Sequence, residues 1–290
     1  MIASAAIALA GAACAAMLAA GRPVTLDAKP TARAYASAVE AVEAALGDMS
    51  GGVVAFGELH QTNATAGVPS SLRRFTADVL PRIAGRLSHL VVETWVTTGR
   101  CGEAERAVTA DVERTTERPA ATESEIETLI RSAHERGVSP RILSISCADY
   151  ASMRASDPTG AVDYDRALRV TERALETAIL RALVDAAAAS GRTDPPSAPR
   201  LVGVYGGALH NDLAPDAELA SYSFAPRALA ATLGRYIEID LIVPEYAASS
   251  AAVRAQPWWR VWRNTRRPGV TVLIRRAARS FVIIFPAQRR

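Results

Sequence analysis

The chain has 290 residues, 49% of them apolar, enough to bury a full core in one domain of ordinary to large size. Its 33 basic and 30 acidic side chains leave a net charge of +3. That is mild for this length and makes no electrostatic case for a nucleic-acid partner, which usually shows as a concentrated basic face.

Residues 2–21 contain no charged side chain and are mostly alanine, with Arg22 and Pro23 ending the run. Such a stretch reads as an export segment, although the basic n-region of a typical signal peptide is missing. Alanine is only weakly apolar, so a stable membrane span is the poorer reading. Gly11-Ala12-Ala13-Cys14 resembles a bacterial lipoprotein cleavage box with glycine in place of the usual leucine, which makes Cys14 a candidate lipid anchor. Residues 1–22 are therefore assigned to an export signal or a lipoprotein or membrane anchor. The domain at 31–290 is expected to be exported, periplasmic or attached to the envelope. Cys101 and Cys147 remain. They form either a disulfide in an oxidising compartment or two unconnected buried thiols. With no CxxC pair, a structural zinc knuckle is excluded.

Residues 31–47 repeat Ala34, Ala38, Val42, Ala45 and Leu46 at helical spacing, with Gly47 at the end. The apolar run Val53–Phe56 is too short for a helix and reads as a buried strand. A loop at 61–69 precedes a helix through Leu72, Phe75, Val79 and Ile83, which Pro81 should kink or shorten. "HLVVETW" (89–95) is the next strand, and strand–helix–strand over this distance makes parallel neighbours or near neighbours. A helix at 122–136, a strand "RILSISC" (141–147), a long helix at 163–190 and a strand "LVGVYG" (201–206) follow. "YIEIDLIV" (236–243) alternates as a strand. "QPWWRVWRN" (256–264) reads first as a helix that packs its tryptophans on the domain with arginines outward; a lid or a membrane contact are the alternatives. The runs "VTVLIRR" and "SFVIIFP" form an antiparallel hairpin at the end of the sheet. The fold class is α/β: a single domain with a mixed, mostly parallel sheet flanked by helices and a C-terminal β-hairpin.

Gly57-Glu58-Leu59-His60 and Gly207-Ala208-Leu209-His210 are two Gly-x-x-His motifs, each just past an apolar strand, and Glu93 is the first charge after Leu90-Val91-Val92. Parallel strands would carry His60, Glu93 and His210 to one carboxyl edge, where ligands bind in open α/β sheets. Glycine before each histidine is read as letting the chain turn sharply and other groups approach the backbone. Two imidazoles and a carboxylate serve two chemistries. A divalent cation (Mn, Co or Zn) on His60, Glu93 and His210 activates a water, with Glu58 as a fourth ligand or the base. Alternatively, a histidine held by a buried carboxylate acts as a base without metal. Asn211 and Asp212 are candidate partners for the imidazole nitrogens. Asp149 and Tyr150, placed after the third strand, are candidates for substrate contact. His89 and His134 are read as surface residues.

The motifs "FGELHQT", "VVET" and "YGGALHNDL" resemble the superfamily that joins the TIKI and TraB proteins, the ChaN haem-uptake lipoproteins and the erythromycin esterases, over roughly residues 50–215. The first motif looks most like the ChaN branch. The resemblance implies a functional trio of His60, Glu93 and His210 with Glu58 close by. It divides over activity. TIKI-like members are metal-dependent peptidases, the esterases open a lactone, and ChaN-like members bind haem. The leading expectation is an exported metal-dependent hydrolase of an ester or amide in a small-molecule or peptide substrate. The alternative is a non-catalytic envelope protein that holds haem or an iron ligand on His60 and His210, with Tyr150, Tyr205 and Tyr222 available but not in a haem-ligating motif.

Overall fold

The computed structural model describes residues 25–26, 29–154, 161–190 and 199–288. The apolar run at 2–21 with Cys14 lies outside them, as do residues 192–198 of the sequence-assigned linker and the terminal Arg289-Arg290.

One sheet of eight strands organises the domain: β1 (Thr31–Tyr35), β2 (Val53–Glu58), β3 (Leu87–Trp95), β4 (Ser139–Leu143), β5 (Leu201–Gly207), β6 (Tyr236–Ile242), β7 (Thr271–Ala277) and β8 (Ser280–Ile284), in the order β1-β7-β8-β6-β2-β5-β3-β4. The strands β8, β6, β2, β5, β3 and β4 run parallel, and β7 is antiparallel to both of its neighbours. This is the expected mixed, mostly parallel sheet with a β7–β8 hairpin. The hairpin does not end the sheet, however, because β1 pairs with β7 outside it.

Helices cover both faces. On one side pack α1 (Ala38–Leu46) and α2, a continuous helical segment at 71–83, with α4 (Ala121–Glu135). The other side carries α6 (Tyr164–Ser190) and α7 (Ala225–Ala231). Between α2 and α6 the chain also forms α3 (Gly102–Thr116) and α5 (Cys147–Met153); after β6 come α8 (Pro244–Ser249), α9 (Ala251–Ala255) and α10 (Pro257–Thr265). The central strands β2 and β5 are apolar on both faces over most of their length because each face is buried under helices.

Several elements differ from the sequence reading. The segment at 31–47 is not one helix: Thr31–Tyr35 is an edge strand, and α1 starts only after Ser37, whose side chain accepts from the Glu40 backbone N–H. In α2, a π-helical turn at Phe75–Val79 sits just before Pro81, so the helix absorbs the missing N–H without breaking. The strand expected at 141–147 ends at Leu143, and Cys147 already opens α5, capped by Ser146 and Asp149. The helix α3 has no counterpart in the apolar pattern. Its inward residues include Glu105 and Asp111, which accept from the backbone N–H groups of Cys101 (3.0 Å) and Val162 (2.8 Å). Two acids replace the apolar stripe that sequence patterning looks for. His89 is buried within β3 rather than on the surface, with Nδ1 3.1 Å from Ser88 Oγ. His134 is exposed. The tryptophans of α10 are packed on the sheet with Val272 and Ile284.

Cys101 and Cys147 form a disulfide, Cα–Cα 5.0 Å, that ties the loop after β3 to the start of α5 across 46 residues of chain. Replacing both by Ser is expected to lower stability by about 2–4 kcal/mol through the freed loop. Chemical denaturation of the wild type against the double variant measures this, and coincident curves would contradict it.

Candidate active site

The order β2-β5-β3 sets the site. Because β5 inserts between β2 and β3, the carboxyl ends carrying Glu58, Gly207 and Glu93 stand side by side, with Glu58 opposite Gly207 in register. His60 follows β2 by two residues, and His210 lies in the turn after β5.

Glu93 occupies the middle. Its Oε2 accepts from the backbone N–H of Gly207 at 2.6 Å, and its Oε1 lies 3.7 Å from His210 Nε2. Burial alone would raise its pKa. The neighbouring imidazoles of His210 and His60, the Gly207 N–H and Arg118 outweigh that, so the carboxyl sits below its usual range and is ionised at neutral pH.

Both imidazoles are tethered through Nδ1. In His60 this nitrogen is 2.9 Å from Glu58 Oε1, while the other oxygen of Glu58 accepts from the Tyr205 hydroxyl at 2.6 Å. In His210 it is 2.7 Å from the Tyr222 carbonyl, which only accepts, so Nδ1 carries the proton and Nε2 is turned to Glu93. Burial, then the charge and hydrogen bond of Glu58, push the Tyr205 hydroxyl well above its usual range, keeping it a donor. Arg118 Nη2 lies 2.7 Å from His60 Nε2.

Glycine matters here for room rather than for turning. Gly57, Gly206 and Gly207 are absent from the glycines with positive φ. A Cβ at Gly206 would come within 2.4 Å of Glu93 Oε2. One at Gly207 would lie 3.0 Å from His60 Nε2 and 3.6 Å from Glu93 Oε2, so the space between these two side chains exists because that atom is missing.

A small cleft open to solvent adjoins His60, lined also by Glu58, Arg118, Ser70, Thr122 and Glu125. Arg118 was not among the residues picked from the sequence. It sits in the turn between α3 and α4, just after Glu117 in the left-handed conformation (φ 46°), and the Asn63 N–H bonded to the Glu117 carbonyl (2.9 Å) holds the His60 loop against that turn. The only sequence signal there is the helix stop before Pro119.

The remaining candidates lie elsewhere. Asp149 caps α5 through Ser146 and pairs with Arg173 at 3.6 Å, and Tyr150 is buried with Val108, Met153 and Val170. Because the strand before them stops early, they belong to α5 rather than to a loop at the rim. Asn211 and Asp212 do not bond the imidazole nitrogens. The turn after His210 sends them instead toward β6 and β7, into a buried acid cluster. There Asn211 Nδ2 donates to Asp240 Oδ1 (3.2 Å), and Arg276 spans Asp212 (3.2 Å), Glu238 (2.8 Å) and Asp240 (3.6 Å).

In that cluster, burial pushes Asp240 up to about 6 and Asp212 adds to it, against the opposing charge of Arg276. The folded state thus takes up this proton more readily than the unfolded chain, whose Asp titrates near 3.8. The contribution of Asp240 to stability is fullest below that value and is lost as pH rises through about 6. Asp240→Asn is expected to flatten this part of the stability profile, measured as melting temperature from about pH 4 to 7.5; parallel profiles for variant and wild type would contradict it.

As candidate metal ligands, His60 Nε2, His210 Nε2 and Glu93 are the right donors with suitable outer partners, since each Nδ1 is held by a carboxylate or a carbonyl. Among the described residues, no three His, Cys, Asp or Glu side chains already close on one point as a ligand set. The guanidinium of Arg118 faces His60 Nε2 instead. Glu58 has both oxygens engaged and orients His60 rather than offering a fourth ligand.

No family model matches the chain, and no curated protein matches it. Among solved structures, the chain is similar to one titled "The structure of the type III effector HopBA1", at 13% identity and a TM-score of 0.42, covering 93% of this chain and 100% of that one.

Proposed function

We propose that the protein is an exported hydrolase of an ester or amide bond, with a divalent cation held by His60 Nε2, Glu93 and His210 Nε2. The observation that carries this reading is the pair of imidazoles tethered through Nδ1, with an ionised glutamate between them. The Cys101–Cys147 disulfide supports the exported location, because such bonds persist in oxidising compartments.

When bound, the cation polarises the substrate carbonyl and lowers the pKa of a water at the same centre. The chain supplies the rest. Tyr205 and Glu58 fix the ring of His60, and the Tyr222 carbonyl fixes that of His210. Glu93, locked by the Gly207 N–H, is the permanent counter-charge. Arg118 borders the cleft and is placed to take the negative charge that develops on the carbonyl oxygen, which obliges it to leave His60 Nε2.

A second reading has an observation of its own. Glu58 and His60 form a carboxylate-held imidazole at 2.9 Å, an arrangement that acts as a base toward water without a cation. A panel of chromogenic esters and amides, assayed with and without chelator, separates the two. Activity lost on chelation and restored by Mn, Co or Zn is the result expected; activity indifferent to chelation favours the second reading. Arg118→Gln is expected to lower kcat/KM by about 10²-fold, the loss typical of one transition-state donor, with the cation retained. An unchanged kcat/KM would remove Arg118 from the site.

A further inference from the structure

We propose that the outer face of α9 and α10 binds an anionic lipid surface. The charge of the chain is not evenly spread. Residues 246–290 contain ten arginines and no acidic residue, a charge of +10, so the remaining 245 residues carry −7 and the modest total conceals a strong polarity.

The fold gathers much of that charge on one face. The three tryptophans of α10, Trp258, Trp259 and Trp262, are buried against the sheet. Arg260 and Arg263 stand on the opposite, exposed side of the helix, Arg267 is exposed just beyond its end at Thr265, and among the described residues none of the three forms an ion pair with a carboxylate. Arg254 and Arg266 flank them, also exposed. Arg266 is stacked over Trp262 at 5.1 Å, which fixes its guanidinium at the rim of the packed rings. The result is a short helix with its apolar side committed to the core and five exposed arginines on it and on the segments that flank it. Clusters of four to eight basic side chains on one surface are attracted to anionic headgroups within about a Debye length.

Two observations favour a lipid surface over a nucleic acid. The first is position: α10 packs against β1 and β7, and β1 is the strand that the uncharged run at 2–21 leads into. The second is the burial of all the aromatic rings of α10, which leaves none of them to stack on bases. The proposal is independent of the hydrolytic reading.

The test is co-sedimentation of the full chain with vesicles of pure phosphatidylcholine and with vesicles containing about 30% phosphatidylglycerol. The run at 2–21 contributes to both, so the difference reports the arginine face. Partition at least tenfold stronger on the anionic vesicles is expected, falling steeply as salt is raised from about 0.05 to 0.5 M. In the triple variant Arg260→Gln, Arg263→Gln, Arg267→Gln, the anionic preference should drop to that of neutral vesicles at an unchanged melting temperature. Equal partition on the two vesicles, a salt-independent preference, or an unaltered triple variant would each overturn the proposal. So would displacement of the protein from anionic vesicles by an equal phosphate concentration of a short DNA or RNA duplex.

Discussion

Glu93→Gln is expected to reduce turnover by about 10³-fold or more while moving the melting temperature by no more than a few degrees. The side chain keeps its shape, and the amide oxygen still accepts from the Gly207 N–H. What disappears is the negative charge between His60 and His210, which no neighbouring carboxylate replaces: Glu58 is already bonded to His60 and Tyr205. Loss of the charge weakens the hold on a cation and removes the counter-charge facing His210 Nε2. A structural role alone would show the reverse pattern, a lowered melting temperature with kcat preserved. Steady-state kinetics and a thermal melt on the same preparation distinguish the two.

Arg276→Leu is expected to destabilise the domain by about 3–5 kcal/mol at neutral pH, because it leaves buried carboxylates without their cation. Arg276 is the one basic side chain bonded to Asp212, Glu238 and Asp240 among the described residues. Burial, then Asp240, already pushes Glu238 well above its usual range even with the arginine present. Without Arg276 both acids take up protons more readily still, so the deficit should shrink as pH falls from about 7 toward 5. The triple variant Arg276→Leu, Glu238→Gln, Asp240→Asn should recover most of the loss, since the one acid then left without its cation, Asp212, is partly exposed to solvent. Chemical denaturation at both pH values tests this. A deficit equal at each, or no recovery in the triple variant, would show that Arg276 acts by packing alone.

The same cluster shows where sequence reading reaches and where it stops. "YIEIDLIV" alternates, and the alternation correctly marks β6 as a strand, but the face bearing Glu238 and Asp240 is buried and not solvated. The cation that makes this tolerable comes from β7, far away in sequence. The strand ends of β2, β3 and β5 were legible because uninterrupted apolar runs stop abruptly at Glu58, Glu93 and Gly206-Gly207, and parallel topology then brings those ends together. Three elements were not legible for physical reasons of their own. β1 is an exposed edge strand with little apolar signature. α3 turns acids inward to satisfy backbone N–H groups. Arg118 stands in a turn, where no periodicity marks a functional side chain.

The central claim is that the trio of His60, Glu93 and His210 holds a divalent cation. Elemental analysis of the protein as isolated, with an absorption spectrum of the same sample, tests it most directly. About one Mn, Co or Zn per chain, lost in His210→Ala, with no Soret band before or after haem is added, is the result predicted. Active protein free of metal, or a Soret band that disappears in His60→Ala and His210→Ala, would contradict it.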